Sequence, residues 1–161
     1  MLRTAMLLGA ALAIGACAPF AGVRPGAPEA DARHAMGQPA LEFDHPDGSH
    51  QLAYTTGPLG TQTFMVYVKA GSVQRIEQVL TDDTFHRIQA GITTREEVRR
   101  MIGPPYRVVR FENLKQHAWD YRFRDTWGYL ADFSVMIDDR GIVAGKVIAR
   151  IEPRDSTGMN R

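Results

Sequence analysis

Apolar residues along this chain recur mostly at every second position, interrupted by two short stretches where the spacing lengthens to that of a helix. Gln51-Leu52-Ala53-Tyr54 reads as a short strand after the turn Pro46-Asp47-Gly48. From Thr61 to Val68, the residues Phe64, Val66 and Val68 share one face, and after Gly71 a hairpin partner runs from Val73 to Leu80. The period then changes. Thr81-Asp82-Asp83 predicts a helix start leading into Phe85 and Ile88. A second helix is predicted with Thr93 as its cap, Glu96 three residues on as in a capping box, and Gly103 closing it before Pro104-Pro105. Val98, Met101 and Ile102 fall on one face of that helix. Four further strands follow, over Tyr106–Phe111, His117–Phe123, Leu130–Asp138 and Ile142–Ile151, and a polar tail over 154–161 closes the chain.

Part of this pattern occurs twice. Met36-Gly37-Gln38-Pro39 parallels Ile102-Gly103-Pro104-Pro105, and Tyr54 parallels Tyr121. Phe64-x-Val66-x-Val68 with Gly71-x-Val73 parallels Phe133-x-Val135-x-Ile137 with Gly141-x-Val143. A spacing near 67 residues predicts two copies of one helix-plus-meander unit, the first, over 41–80, with most of its helical part lost.

The amino terminus changes the reading of the rest. Arg3 precedes an uncharged run from Ala5 to Ile14, which has the length of a signal-peptide core and falls short of the roughly 20 residues a bilayer span needs. Ile14-Gly15-Ala16-Cys17 resembles the lipobox of bacterial lipoproteins, which implies cleavage between Ala16 and Cys17 and acylation of the cysteine. At about 0.8 kcal/mol per buried methylene, three acyl chains on one residue anchor a protein stably. Ala18 stands where an inner-membrane retention signal would place aspartate, which implies the periplasmic face of the outer membrane. Residues 17–40, rich in Ala, Gly and Pro, read as a flexible tether with a weak helix tendency over 28–36.

Of 161 residues, 44% are hydrophobic and 23% charged, enough to form a core. Nineteen basic against eighteen acidic residues leave no positive field for nucleic acid, and loss of Arg3 with the signal brings the balance to zero. The single cysteine excludes an internal disulfide and a cysteine-based zinc site. No nucleophile elbow, zinc-binding histidine pair or phosphate loop occurs. His45 and His50 with Asp44 and Asp47 read as polar residues around a solvent turn, and Asp138-Asp139 as turn chemistry. Ser49 and His50, as strand neighbours, point to opposite faces. The expectation is a non-catalytic protein with no cofactor, metal or small-molecule substrate. For partner binding the candidates are Arg124, Trp127 and Tyr129 in the connection around Gly128, residue types enriched at interface hot spots; the alternative is that both aromatics fold back over the sheet.

The stretch from Gly91 to Pro105, then Trp119-Asp120-Tyr121-Arg122-Phe123, then Phe133 to Val143, resembles the SmpA/OmlA (BamE-like) family of bacterial lipoproteins. The resemblance covers about residues 82–150 and implies an α+β fold with a helix pair packed on an antiparallel β-meander. The unit in tandem is similar to the β-lactamase inhibitory protein. A role in envelope biogenesis, within outer-membrane β-barrel assembly, is what the family implies; an inhibitor-like module acting through its sheet face is the alternative. The extra β-unit over 41–80 departs from the family pattern, and the resemblance carries over no partner-binding residue.

Overall fold

The computed structural model describes residues 23–57 and 60–151. Eight strands form two four-stranded antiparallel sheets, each a simple meander in chain order. The first contains β1 (Leu41–Asp44), β2 (Ser49–Thr55), β3 (Thr63–Lys69) and β4 (Ser72–Gln78). The second contains β5 (Arg107–Phe111), β6 (Gln116–Arg124), β7 (Leu130–Asp138) and β8 (Val143–Arg150). Three short helices accompany them: α1 (Glu29–Met36), α2 (Asp82–Arg87) and α3 (Arg95–Ile102).

This overturns the expected helix pair on a meander. The described residues are mostly β, the helices are six to eight residues long, and the sheets each have four strands. The reason is local. Strict alternation persists along β7, whose residues are buried at every second position, whereas apolar helical spacing is sustained for barely two turns. The cap of α3 also lies one residue later than the spacing predicts: Thr94 and Glu97 close the capping box. Thr93 instead accepts a hydrogen bond from the Gln89 amide.

The first copy keeps one helix of the two: α1 stands where α3 does, and among the described residues nothing matches α2. Gly26 and Ala27 bond the backbone of Val73, and Glu29 bonds Gly71, before α1 begins. In the same way Gly91 and Thr93 bond Val143, and Arg95 bonds Gly141, as α3 begins. Both helices stop at a glycine of positive φ, Gly37 and Gly103. Both sheets shift register at matching points, between Tyr67 and Val68 and between Met136 and Ile137. Residues 24–36, expected in the tether, therefore belong to the first unit, with Ala32 wholly buried. The weak helix tendency over 28–36 is realised as α1, docked on the first sheet and not part of a free tether.

The two units stack. α1 covers one face of the first sheet through Ala32, against Leu52, Tyr54, Val66, Val68 and Val73. The opposite face, with Ala53 and Met65, packs on Val98 and Ile102 of α3, whose other side meets Tyr121, Phe133, Val135 and Ile137 of the second sheet. The layers run α1, first sheet, α2 with α3, second sheet. Only the last sheet has a face that no described residue covers.

Candidate interaction surface

The connection from β6 to β7 is built on Asp125. Its Oδ1 accepts the amides of Trp127 and Tyr129, each at 2.9 Å, and its Oδ2 accepts Arg150 Nε at 2.7 Å. The Gly128 amide closes the turn on the Asp125 carbonyl at 2.8 Å, with Gly128 at φ +82°, which a residue with a Cβ rarely adopts. Arg124 Nη1 donates to the Gly128 carbonyl, and Thr126 Oγ1 to Asp82 at 2.9 Å. Desolvation pushes the Asp125 carboxyl up, but the Tyr129 amide, the Arg150 guanidinium and the Trp127 amide together hold it below its ordinary value.

The braced loop holds its aromatics outward. Trp127 is 78% exposed and Tyr129 60%, so neither folds back over the sheet. The Arg150 guanidinium lies 5.0 Å over the Tyr129 ring. Of the three residues expected to present a partner site, Trp127 and Tyr129 stand in solvent, and Arg124 serves chiefly to tie the loop. The homologous connection in the first unit contains Leu59, which lies outside the described residues, as do Ala16 and Cys17.

The structure adds β8 to this surface. Val147, Ile148 and Ile151 are exposed, and the Ile151 amide bonds the Leu130 carbonyl at 2.9 Å beside the loop. Below Ile148 lies a recess of about 200 Å³, lined by Phe85, Phe133, Lys146, Asp82 and His86. Its floor is rigid, because Phe85 stacks on Phe133 at 3.9 Å and meets Phe123 edge-on at 4.8 Å. Lys146 Nζ is turned inward onto the carbonyls of Phe85 and Ile88, at 2.7 and 2.6 Å. The sequence predicts a strand over Ile142–Ile151; that it lies at the edge of its sheet follows from the strand order, which local spacing does not contain.

The remaining titratable clusters are engaged with one another. His50 Nε2 pairs with Glu29 at 2.9 Å, while Ser49 Oγ bonds Asp47, so the two neighbours diverge as strand geometry requires. Asp138 accepts the Ile142 and Arg140 amides, and these with the Arg140 guanidinium hold its carboxyl low, consistent with turn chemistry. On α3, Arg99 pairs with Glu96 and lies 5.0 Å over Trp119, and Arg100 lies 4.9 Å over Phe43. Among the described residues no group of three or more His, Cys, Asp or Glu is arranged to hold a metal ion, and no helix is long and apolar enough to cross a membrane.

No family model matches this chain, and no curated protein does. Among solved structures it is similar to a DUF4309 family protein (YjgB) from Bacillus subtilis subsp. subtilis str. 168, at 14% identity over 77% of this chain and 78% of that one. The TM-score is 0.32, too low for the likeness to carry an argument about fold or function.

Proposed function

We propose that this chain is a non-catalytic protein-interaction module of the Gram-negative envelope. In this reading Cys17 carries the lipid, the periplasmic face of the outer membrane is the location, and envelope biogenesis, including outer-membrane β-barrel assembly, is the setting. The partner docks at the connection from β6 to β7. The observation that carries this is Trp127, held 78% exposed by a loop whose own carboxylate fixes the backbone on either side of it. A large aromatic presented rigidly loses little conformational freedom on binding. The alternative, inhibition of an enzyme through the open sheet face, has less support. The charged groups there, Arg107 with Asp120 and Arg122 with Asp132, already satisfy one another at 2.6 and 3.0 Å.

A photo-crosslinking amino acid in place of Trp127 tests the docking site in whole cells. Strong crosslinks there, and none from the same group in place of Glu77, are expected; equal yields at the two positions sink the reading. Purification from detergent-solubilised outer membranes tests the setting: barrel-assembly components co-purify if it is right and are reproducibly absent if it is wrong. Anchoring is separable. Cys17→Ala is expected to lose acyl labelling and membrane association, and persistence of both would exclude the anchor.

A further inference from the structure

Beside the aromatic loop, β8 is one of the two edge strands of its sheet among the described residues, and it differs from the corresponding edge of the first unit. Its beginning is covered, since Gly91 and Thr93 bond Val143. Beyond that point no described segment pairs with it. The direction of its backbone follows from one bond: the Ile151 amide faces β7, where it meets Leu130, so alternation turns Ala149 and Val147 toward β7 as well. The N–H and C=O groups of Lys146, Ile148 and Arg150 therefore face outward. The side chains divide by the same alternation. Lys146, Ile148 and Arg150 share the face of Val135, Phe133 and Ala131, while Val147 and Ala149 lie on the opposite face.

Edges of this kind are normally blunted by outward charges, bulges or proline. In the first unit the β4 edge carries the Arg75–Glu77 ion pair, at 2.9 Å. On β8 the register shift lies at the covered end, and Lys146 is tucked onto the carbonyls of α2 and the residues after it, leaving Ile148 over the recess and Val147 exposed on the opposite face.

We infer that the β8 edge from Lys146 to Arg150 takes up an extended partner segment as a ninth strand of the molecule, and that the segment places acidic residues on either side of a central apolar one. This rests on the proposed interaction role and names the partner's chemistry. Main-chain bonds to Ile148 and its neighbours supply affinity, and alternate side chains supply choice. An apolar side chain opposite Ile148 enters the recess. Side chains two residues away on either side lie opposite Lys146 and Arg150. Lys146 Nζ donates to the carbonyls of Phe85, His86 and Ile88 and has no carboxylate partner among the described residues, so an incoming acid there meets its charge and not a free N–H, whereas Arg150 has only its Nε on Asp125 and offers its other donors directly. The same charges argue against a second copy of the chain: antiparallel pairing about Ile148 would set Lys146 opposite Arg150 of the other copy at both ends. Tyr129, stacked on Arg150, joins edge and loop into one surface.

The test uses the full chain in detergent and a fluorescent peptide with the core Glu-Val-Leu-Val-Glu between Gly-Ser flanks, compared with Lys-Val-Leu-Val-Lys. The acidic peptide is expected to bind at least tenfold more tightly at low salt, and to slow amide exchange at Ile148 and Arg150. Ile148→Pro removes an outward amide that β7 does not use, so it should abolish binding while leaving the thermal midpoint within a few degrees. Lys146→Glu should reverse the preference between the peptides, which keeps the test decisive should the proline variant misfold. Equal affinity for both peptides, binding retained in Ile148→Pro, or dimerisation of the chain through this edge would each overturn the inference. Crosslinking at Trp127 together with unprotected Ile148 and Arg150 amides would overturn the edge and leave the loop reading standing; failure of both measurements would remove both.

Discussion

The two units share one plan and differ most on a single row of residues across the back of each sheet. In the first sheet that row is Leu41, Ala53, Met65 and Glu77; in the second the corresponding row is Arg107, Asp120, Ser134 and Val147. Ala53 and Met65 are wholly buried, and α3 of the following unit rests on them. Asp120 and Ser134 face no further unit. Instead the Asp120 carboxylate, only 4% exposed, accepts Arg107 Nε at 2.7 Å and Ser134 Oγ at 2.6 Å. The back of one sheet is an interior surface and the back of the other is a terminus, and three side chains make the difference. Stacked units in general need such a polar outer face on the last copy.

Exchanging residues between the rows gives the largest expected effect. Ala53→Asp sets the terminal sheet's carboxylate under α3, where neither Arg107 nor Ser134 has a counterpart. An uncompensated charge there should cost about 3–5 kcal/mol, read by urea unfolding. A loss under 1 kcal/mol would mean the stack is looser than its buried residues indicate. The reverse exchange, Arg107→Leu with Asp120→Ala and Ser134→Met, makes the last sheet resemble the first. That variant should associate in sedimentation experiments, because the new apolar face matches no surface of its own chain; a monomer would break the comparison.

The glycines ending α1 and α3 separate backbone strain from packing. Gly37 and Gly103 have nearly the same conformation, φ 78° ψ −154° and φ 80° ψ −164°. A Cβ on Gly37 meets nothing within 4 Å, but one on Gly103 comes within 2.9 Å of Thr63 Cγ2 and 3.8 Å of Ala53 Cβ, across the join between units. Both alanine variants incur about 1–3 kcal/mol of backbone strain. Gly103→Ala should exceed Gly37→Ala by a further 1–3 kcal/mol, roughly the cost of overpacking. Equal losses would show that the join yields freely.

Much of this architecture was legible in the chain. Period two in Phe133-x-Val135-x-Ile137, turn residues at Gly71 and Gly141, and the recurrence of Tyr54 as Tyr121 are local signals, and the strands they predict lie where the structure has them. The helix at 29–36 gave only a weak signal and its docking gave none, because it has one buried residue, Ala32, and takes its place from backbone bonds to the β4 hairpin that leave no side-chain pattern. The resemblance that implied a helix pair weighed Gly103 and Trp119, residues that would serve any short helix lying on a sheet. In the candidate site, composition pointed to Trp127 and Tyr129. It did not single out Asp125 or β8, whose roles depend on which strand is last.

Tyr54 and Tyr121 occupy equivalent positions with unequal partners. Tyr121 donates its hydroxyl to the Gly103 carbonyl at 3.1 Å, and burial pushes its pKa well up, so it remains a donor at neutral pH. The Tyr54 hydroxyl is buried with no hydrogen-bond partner among the described residues. Tyr121→Phe should therefore cost about 1–2 kcal/mol, by leaving the Gly103 carbonyl unsatisfied, whereas Tyr54→Phe should be neutral or slightly stabilising. Thermal denaturation of the two variants side by side checks this, and equal losses would place a partner on Tyr54 in solution.

The smallest expected effect concerns the matching loops. In the first unit Thr56 clips the loop through its amide and hydroxyl on the Gln62 carbonyl, with no titratable group. In the second the clip is Asp125, whose pKa is lowered on folding. A carboxyl lowered in this way contributes fully above its unfolded value of about 3.9, and its contribution is lost as pH falls through the lower folded value. The Trp127 and Tyr129 amides should accordingly lose exchange protection below the ordinary carboxylate range, while the Thr56 amide keeps its own. Trp127→Ala should leave global stability within about 0.5 kcal/mol, since that side chain stands in solvent. Asp125→Asn should abolish the pH response in the second loop alone; a response that persists in that variant would show that Asp125 is not the group that governs it.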